Sequence, residues 1–125
     1  MKIQGTFGGF SVNNLKEAKR FYGGTLGFGL RDEVGGVRIT LPGGATVWMY
    51  EKSDHQPATY TTLNLVVENI DQAVDELVHS GIALERYAGA PQDDKGVLRG
   101  KDRAMGPNIA WFKDPAGNIL ALIED

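Results

Sequence analysis

The sequence predicts an α+β fold of two βαβββ modules in tandem, and three observations carry that prediction. Asn14-x-x-Glu17 and Asn69-x-x-Gln72 each resemble the start of a capped helix, 55 residues apart. One strand-like run precedes each helix and three follow it. The 17 glycines, about twice the usual frequency, fall mostly in pairs or near-pairs and mark tight turns between short strands. A chain of 125 residues fits one domain, with module one at about 1–53 and module two at about 60–125.

In chain order, TFGGFSV (6–12) reads as the first strand. Leu15, Ala18, Phe21 and Tyr22 then share one helical face, and the helix stops at the glycines between 23 and 27. GLRDEV, GVRITL and TVWMYE read as three more strands, the last two joined by the turn PGGA. In the second half TTLNLVVE is the leading strand. Ile70, Ala73, Val74, Leu77 and Val78 form the helical face, which ends at Gly81. LERY, NIAWFK and ILALIE are the following strands. In DPAGN, Pro115 presets φ and Gly117 tolerates positive φ, which predicts a type I turn with a following bulge. Residues 88–107, rich in Gly, Pro, Asp and Lys, form a long loop that reads either as a lid over a pocket or as a plain solvated connection.

Composition excludes several classes. Without cysteine there is no disulfide, thiolate metal site or cysteine nucleophile. The net charge of −3, with Lys and Arg scattered among acids, argues against nucleic acid. No run approaches the ~20 apolar residues of a membrane span, and MKIQGTFGGF lacks a signal-like apolar stretch. The expectation is a soluble cytoplasmic protein. No G-x-S-x-G elbow, P-loop or dinucleotide fingerprint occurs in a strand-to-helix context, and GGTLGFG follows a helix.

The helix motif A-x-x-FY-x-x-x-LG (Ala18, Phe21, Tyr22, Leu26, Gly27) and the hairpin F-x-DP-x-GN-x-x-x-L (Phe112, Asp114, Pro115, Gly117, Asn118, Leu122) resemble the vicinal oxygen chelate superfamily. Glyoxalase I, the extradiol dioxygenases, and the fosfomycin- and bleomycin-resistance proteins belong to it. The resemblance spans essentially the whole chain. It implies curled mixed sheets around a cavity, often in a homodimer, and in the enzymes a divalent cation held by His, Glu or Gln at four strand positions.

Registered on the flanking motifs, those four positions fall on Phe7, Trp48, Thr62 and Ala121. Their immediate neighbours (Thr6, Gly8, Val47, Met49, Thr61, Leu63, Leu120 and Leu122) also lack an imidazole, carboxylate or carboxamide. His79 is expected on the solvated face of the second helix and His55 on a hydrophilic linker. Glu51, Glu68 and Glu124 are expected to face outward from strand ends, and Asp93, Asp94 and Asp102 form a solvated run without calcium-loop spacing. The reading is therefore one of no metal and no cofactor.

Strand alternation groups Phe7, Gly9 and Ser11; Trp48 and Tyr50; Thr62, Asn64 and Val66; and Ile119, Ala121 and Ile123. Whether Trp111 or Phe112 faces the helix stays open. The candidate ligand-binding set is Phe7, Gly9, Trp48, Tyr50, Thr62, Asn64, Trp111 and Ala121, with no catalytic residue assigned. Trp48 is the main anchor, in a hollow suited to a flat hydrophobic molecule unless its own side chains fill it. The expectation is a metal-free, homodimeric protein that binds a small aromatic or amphipathic molecule, with the question of catalysis left open. One alternative is a lyase, isomerase or dioxygenase of the superfamily with a displaced site, drawing on Asp93, Asp94, Lys101, Asp102 or Arg103. The other is an interaction module without a ligand.

Overall fold

The computed structural model describes residues 1–125, which divide into two compact units, Met1–Pro57 and Ala58–Asp125. In the first unit, β1 (Gly8–Val12) leads into α1 (Leu15–Lys19), which continues as a wider helical segment, Arg20–Thr25. There the Leu26 N–H reaches the Phe21 carbonyl five residues back, at 2.9 Å. Three strands follow, β2 (Gly29–Glu33), β3 (Gly36–Thr40) and β4 (Thr46–Glu51). The sheet order is β1-β4-β3-β2, with β1 parallel to β4 and the other pairs antiparallel.

One face of this sheet is the core. Phe10 and Val12 of β1, Val37 and Ile39 of β3, and Val47 and Met49 of β4 are buried beneath Ala18, Phe21 and Tyr22. Tyr22 is wholly buried, with the rings of Phe10 and Phe21 at 5.5 and 5.1 Å. Such ring pairs contribute ~1 kcal/mol each beyond area burial. The helical face read from the sequence is the face that packs.

The second unit repeats the pattern. β5 (Thr61–Val66) precedes α2 (Ile70–His79), and β6 (Leu98–Arg99), β7 (Asn108–Lys113) and β8 (Ile119–Glu124) follow in the order β5-β8-β7-β6. Ile70, Val74 and Leu77 of α2 are buried, as are Ala110 and Phe112 of β7 and Leu120 and Leu122 of β8. Val78, expected inside, is 56% exposed. Phe112 is thus the core residue, and Trp111 lies on the opposite face.

Three local expectations need correction. First, the Asn caps form as read, but the strand-end glutamates turn to the helices. Asn14 and Asn69 accept from the N–H of Glu17 and Gln72, both at 3.0 Å, but Glu17 bonds Arg20 and Gln72 bonds Glu76. The first-turn amides are instead taken by acids from the last strand of each unit, Leu15 N–H by Glu51 and Ile70 N–H by Glu124, both at 2.8 Å. These glutamates do not simply face outward. They bind the positive ends of the helices.

Second, LERY is not a strand. Glu85 makes one bridge to Trp111, and the edge beside β7 is completed by Leu98 and Arg99 from the long loop. The chain leaves the sheet after Glu85 because Gln92 captures it. Gln92 accepts from Tyr87 N–H (2.8 Å) and donates to the carbonyls of Glu85 (2.9 Å) and Gly96 (2.7 Å).

Third, Asp93 is not part of a solvated run. It accepts from the N–H of Lys95 and Val97 and from Arg99 Nε, and Arg99 grips Asp71 on α2 with two bonds of 3.0 and 2.7 Å. Lys95 adds contacts to Asp71 and Asp75. The loop is braced to the helix, so it is neither a free lid nor a plain connection. Asp94 and Asp102 do stay exposed.

The DPAGN hairpin matches its reading. Gly117, at φ 85°, donates its N–H to the Asp114 carbonyl at 3.0 Å, and the Asp114 carboxylate accepts from the N–H of Ala116 and Asn118.

Candidate functional site

The face of the first sheet away from α1 carries polar and aromatic chemistry. Register aligns Gly9, Trp48, Arg38 and Arg31 in one row across β1, β4, β3 and β2, with Ser11, Tyr50, Gly36 and Glu33 in the next. Gly9, Trp48 and Tyr50 therefore share a face, as alternation requires. Phe7, just ahead of β1, is 60% exposed.

Arg38 is the residue that sequence reasoning missed. Its guanidinium lies 4.2 Å from the Phe7 ring centroid and 5.4 Å from that of Trp48, with its side chain 18% exposed. One nitrogen reaches Glu33 at 3.2 Å, and Nε is buried without a partner. Arg31 holds the same carboxylate by two closer bonds, 3.0 and 2.5 Å. Arg31 first, then Arg38, keeps the Glu33 carboxyl below its usual range. The face read as hydrocarbon and rings thus carries a guanidinium. The signal was present in strand parity, since Arg38 and Trp48 are cross-strand partners, but register must be known to see it.

Gly36 fixes the indole. A Cβ there would lie 2.8 and 2.9 Å from atoms of the Trp48 ring and would collide with the Met49 carbonyl. Trp48 is consequently half-buried against the chain's own backbone, as much a packed residue as an anchor.

At the neighbouring register position Ser11 Oγ and His55 Nδ1 are 2.6 Å apart. His55, expected on a solvated linker, is half-buried and bonded to β1. A hydroxyl paired with an imidazole is acid–base chemistry on the same face as Tyr50. His79 is exposed, as expected.

In the second unit, register aligns Asn64, Ala121 and Trp111, and Asn64 is exposed. Trp111 is half-buried, with Tyr87 edge-on at 5.5 Å. Burial raises the Tyr87 phenol pKa, its hydroxyl having no hydrogen-bond partner. Ala121, expected to line the hollow, is 0% exposed between its register partners Asn64 and Trp111. Thr62 lies at a bulge in β5 and donates its hydroxyl to the Ile119 carbonyl at 3.1 Å.

The four positions where the family resemblance implies a cation can therefore be tested on their chemistry. Phe7, Trp48 and Ala121 present carbon or an indole without a free electron pair, and the Thr62 hydroxyl is committed to backbone. These residues do not fit a divalent ion. No three His, Cys, Asp or Glu side chains converge elsewhere in the structure.

Two βαβββ units, each with an Asn-capped helix on one face of a β1-β4-β3-β2 type sheet and chemistry on the other, define a glyoxalase-type fold. The chain belongs to the Glyoxalase/Bleomycin resistance protein/Dioxygenase superfamily, whose family model matches residues 6–122. Among solved structures it is similar to a putative glyoxalase family protein from Bacillus anthracis, with 21% identity, TM-score 0.69, and 100% and 98% of the two chains covered. It is similar to TnmS3, an antibiotic-binding protein from Streptomyces sp. CB03234, with 21% identity, TM-score 0.65, and 99% and 98% covered. It also resembles the fosfomycin resistance protein FosX from Listeria monocytogenes, with 12% identity, TM-score 0.71, and 100% and 95% covered. Comparison with curated proteins gives no significant match.

Proposed function

We propose that this chain is a small-molecule-binding protein that holds a flat, amphipathic ligand against the Phe7–Arg38–Trp48 face of its first unit, without a metal ion or other cofactor. The observation that carries the reading is the Arg38 guanidinium 4.2 Å over an exposed Phe7 ring and 5.4 Å from Trp48. Aromatic faces beside a partly paired cation suit a planar molecule with a polar edge. The unsuitable donor chemistry at Phe7, Thr62, Trp48 and Ala121 supports the metal-free part, and similarity to an antibiotic-binding protein accords with a binding role. The reading includes a homodimer working in the cytoplasm.

Titrating a panel of planar aromatic compounds while following tryptophan emission tests it. Saturable quenching is expected in the wild type and should be lost in Trp48→Phe, where only Trp111 remains to emit. Phe7→Ala should weaken binding about fivefold to tenfold, the loss of one stacked ring. Absence of saturation across the panel would refute the proposal.

The Ser11–His55 hydrogen bond favours one second reading, a lyase or isomerase in which this pair moves a proton at the bound molecule. Incubating the ligand with protein and following its mass and isomer composition separates the two. Conversion abolished by His55→Asn makes the chain an enzyme, whereas a ligand returned unchanged retires that reading. The loop acids proposed from sequence are less suited, since Asp93 is spent on the loop itself and Asp94 and Asp102 are exposed.

A further inference from the structure

Resting on the small-molecule-binding reading, we propose that the ligand is an aromatic carboxylic acid whose carboxylate is taken by Arg38 while its ring stacks beside Phe7. Two guanidiniums on this face share one carboxylate, so the group carries a surplus positive charge although the chain as a whole is at −3. The sharing is unequal. Arg31 holds Glu33 through Nε and Nη2 at 3.0 and 2.5 Å, whereas Arg38 reaches it once, at 3.2 Å. Arg38 has five N–H donors and this single long bond, and its Nε is buried and unsatisfied.

Phe7 and Trp48 flank the guanidinium, so its hydrogen-bonding capacity is left to its in-plane edge. A planar carboxylate matches such an edge with two parallel bonds, which a carboxamide or an ester cannot do without leaving a donor against a donor or a bond unmade. The exposed Phe7 ring supplies the surface on which the attached ring of the ligand can lie. Arg38 is thus both the wall of the stack and the reader of the polar edge.

Isothermal titration of the full chain with naphthalene-2-carboxylate and naphthalene-2-carboxamide, at low and at high salt, tests the inference. The carboxylate should bind the wild type about tenfold or more tighter than the carboxamide, and the gap should narrow with salt. Arg38→Gln should bring the two affinities within about twofold while retaining carboxamide binding. Glu33→Gln, which removes the internal competitor and leaves Arg38 in place, should tighten carboxylate binding about threefold or more. Equal wild-type affinity for the two compounds, or a carboxylate preference that survives in Arg38→Gln, overturns the inference and leaves the binding role standing. If neither compound binds, the inference falls, and the binding role falls with it only if the whole aromatic panel also fails to saturate.

Discussion

Gly36 lies in β3, where a methyl group would meet both the Trp48 ring and the Met49 carbonyl, and there is no room for one. Gly36→Ala should cost about 1–3 kcal/mol, the usual range for overpacking a fixed site, and should shift the Trp48 emission. A variant with unchanged melting temperature and spectrum would show that the indole is not held there. At this scale the sequence was partly legible. Strand parity put Gly9, Trp48 and Tyr50 on one face correctly, because alternation is local. Arg38 escaped because its place beside Trp48 depends on pairing between strands, and a charged strand residue reads by default as solvated. Ala121 shows a different limit. Its parity is that of a wall residue, but parity says nothing of how far a side chain stands above its neighbours.

Each helix is tied at its first turn by a glutamate from the last strand of its own unit, Glu51 for α1 and Glu124 for α2. Glu124 is 18% exposed and also accepts from Asn108 and Lys101, whereas Glu51 is exposed. The Ile70 N–H, ahead of Asn108, depresses the Glu124 pKa. Glu124→Ala should therefore destabilise by about 1–2 kcal/mol and Glu51→Ala by less than about 1 kcal/mol, as read from chemical denaturation. Equal losses would mean that partial burial does not strengthen the contact. The helices themselves were plain in the sequence, because caps and a 3.6-residue period are written within ten residues. The interrupted edge strand was not, because Leu98 and Arg99 join β7 only after Gln92 and Asp93 have folded the intervening loop. A two-residue strand carries no period.

At the scale of the whole molecule, an ion-pair network within the second unit runs from Asp71 through Arg99 to Asp93, with Lys95 alongside. Arg99, then Lys95, holds the Asp71 carboxyl far below the ordinary aspartate range, and Asp93 is lowered by its amide and Arg99 bonds against the opposing effect of burial. A depressed folded-state pKa contributes stability that is complete above the unfolded value near pH 4 and is lost as pH falls through the folded one. Because Asp71 is 47% exposed, solvent screening limits this to about 1 kcal/mol. Melting curves of the wild type and Asp71→Asn should differ by that amount at pH 7, and the gap should shrink as pH falls below about 4, closing only in strong acid. A gap that does not shrink in acid would place the effect outside this network.

A second measurement concerns metals. The donor chemistry at Phe7, Trp48, Thr62 and Ala121 predicts that Zn, Ni, Mn or Fe(II) leaves the melting temperature unchanged, and a saturable rise would contradict it. The doubled βαβββ plan was legible throughout the sequence because each copy repeats the same local signals. What each sheet presents on its open face was not, because that depends on which strands lie side by side.

The origin of the helix tethers bears on the route by which each unit assembles. Ile70 and Glu124 are 54 residues apart in the chain, so α2 gains this anion only after β8 has docked alongside β5. Contacts that close so large a loop form late, and removing one speeds unfolding while barely touching the refolding rate. A chevron for Glu124→Ala with a raised unfolding limb and an unmoved refolding limb would mark this contact as the final latch of its unit.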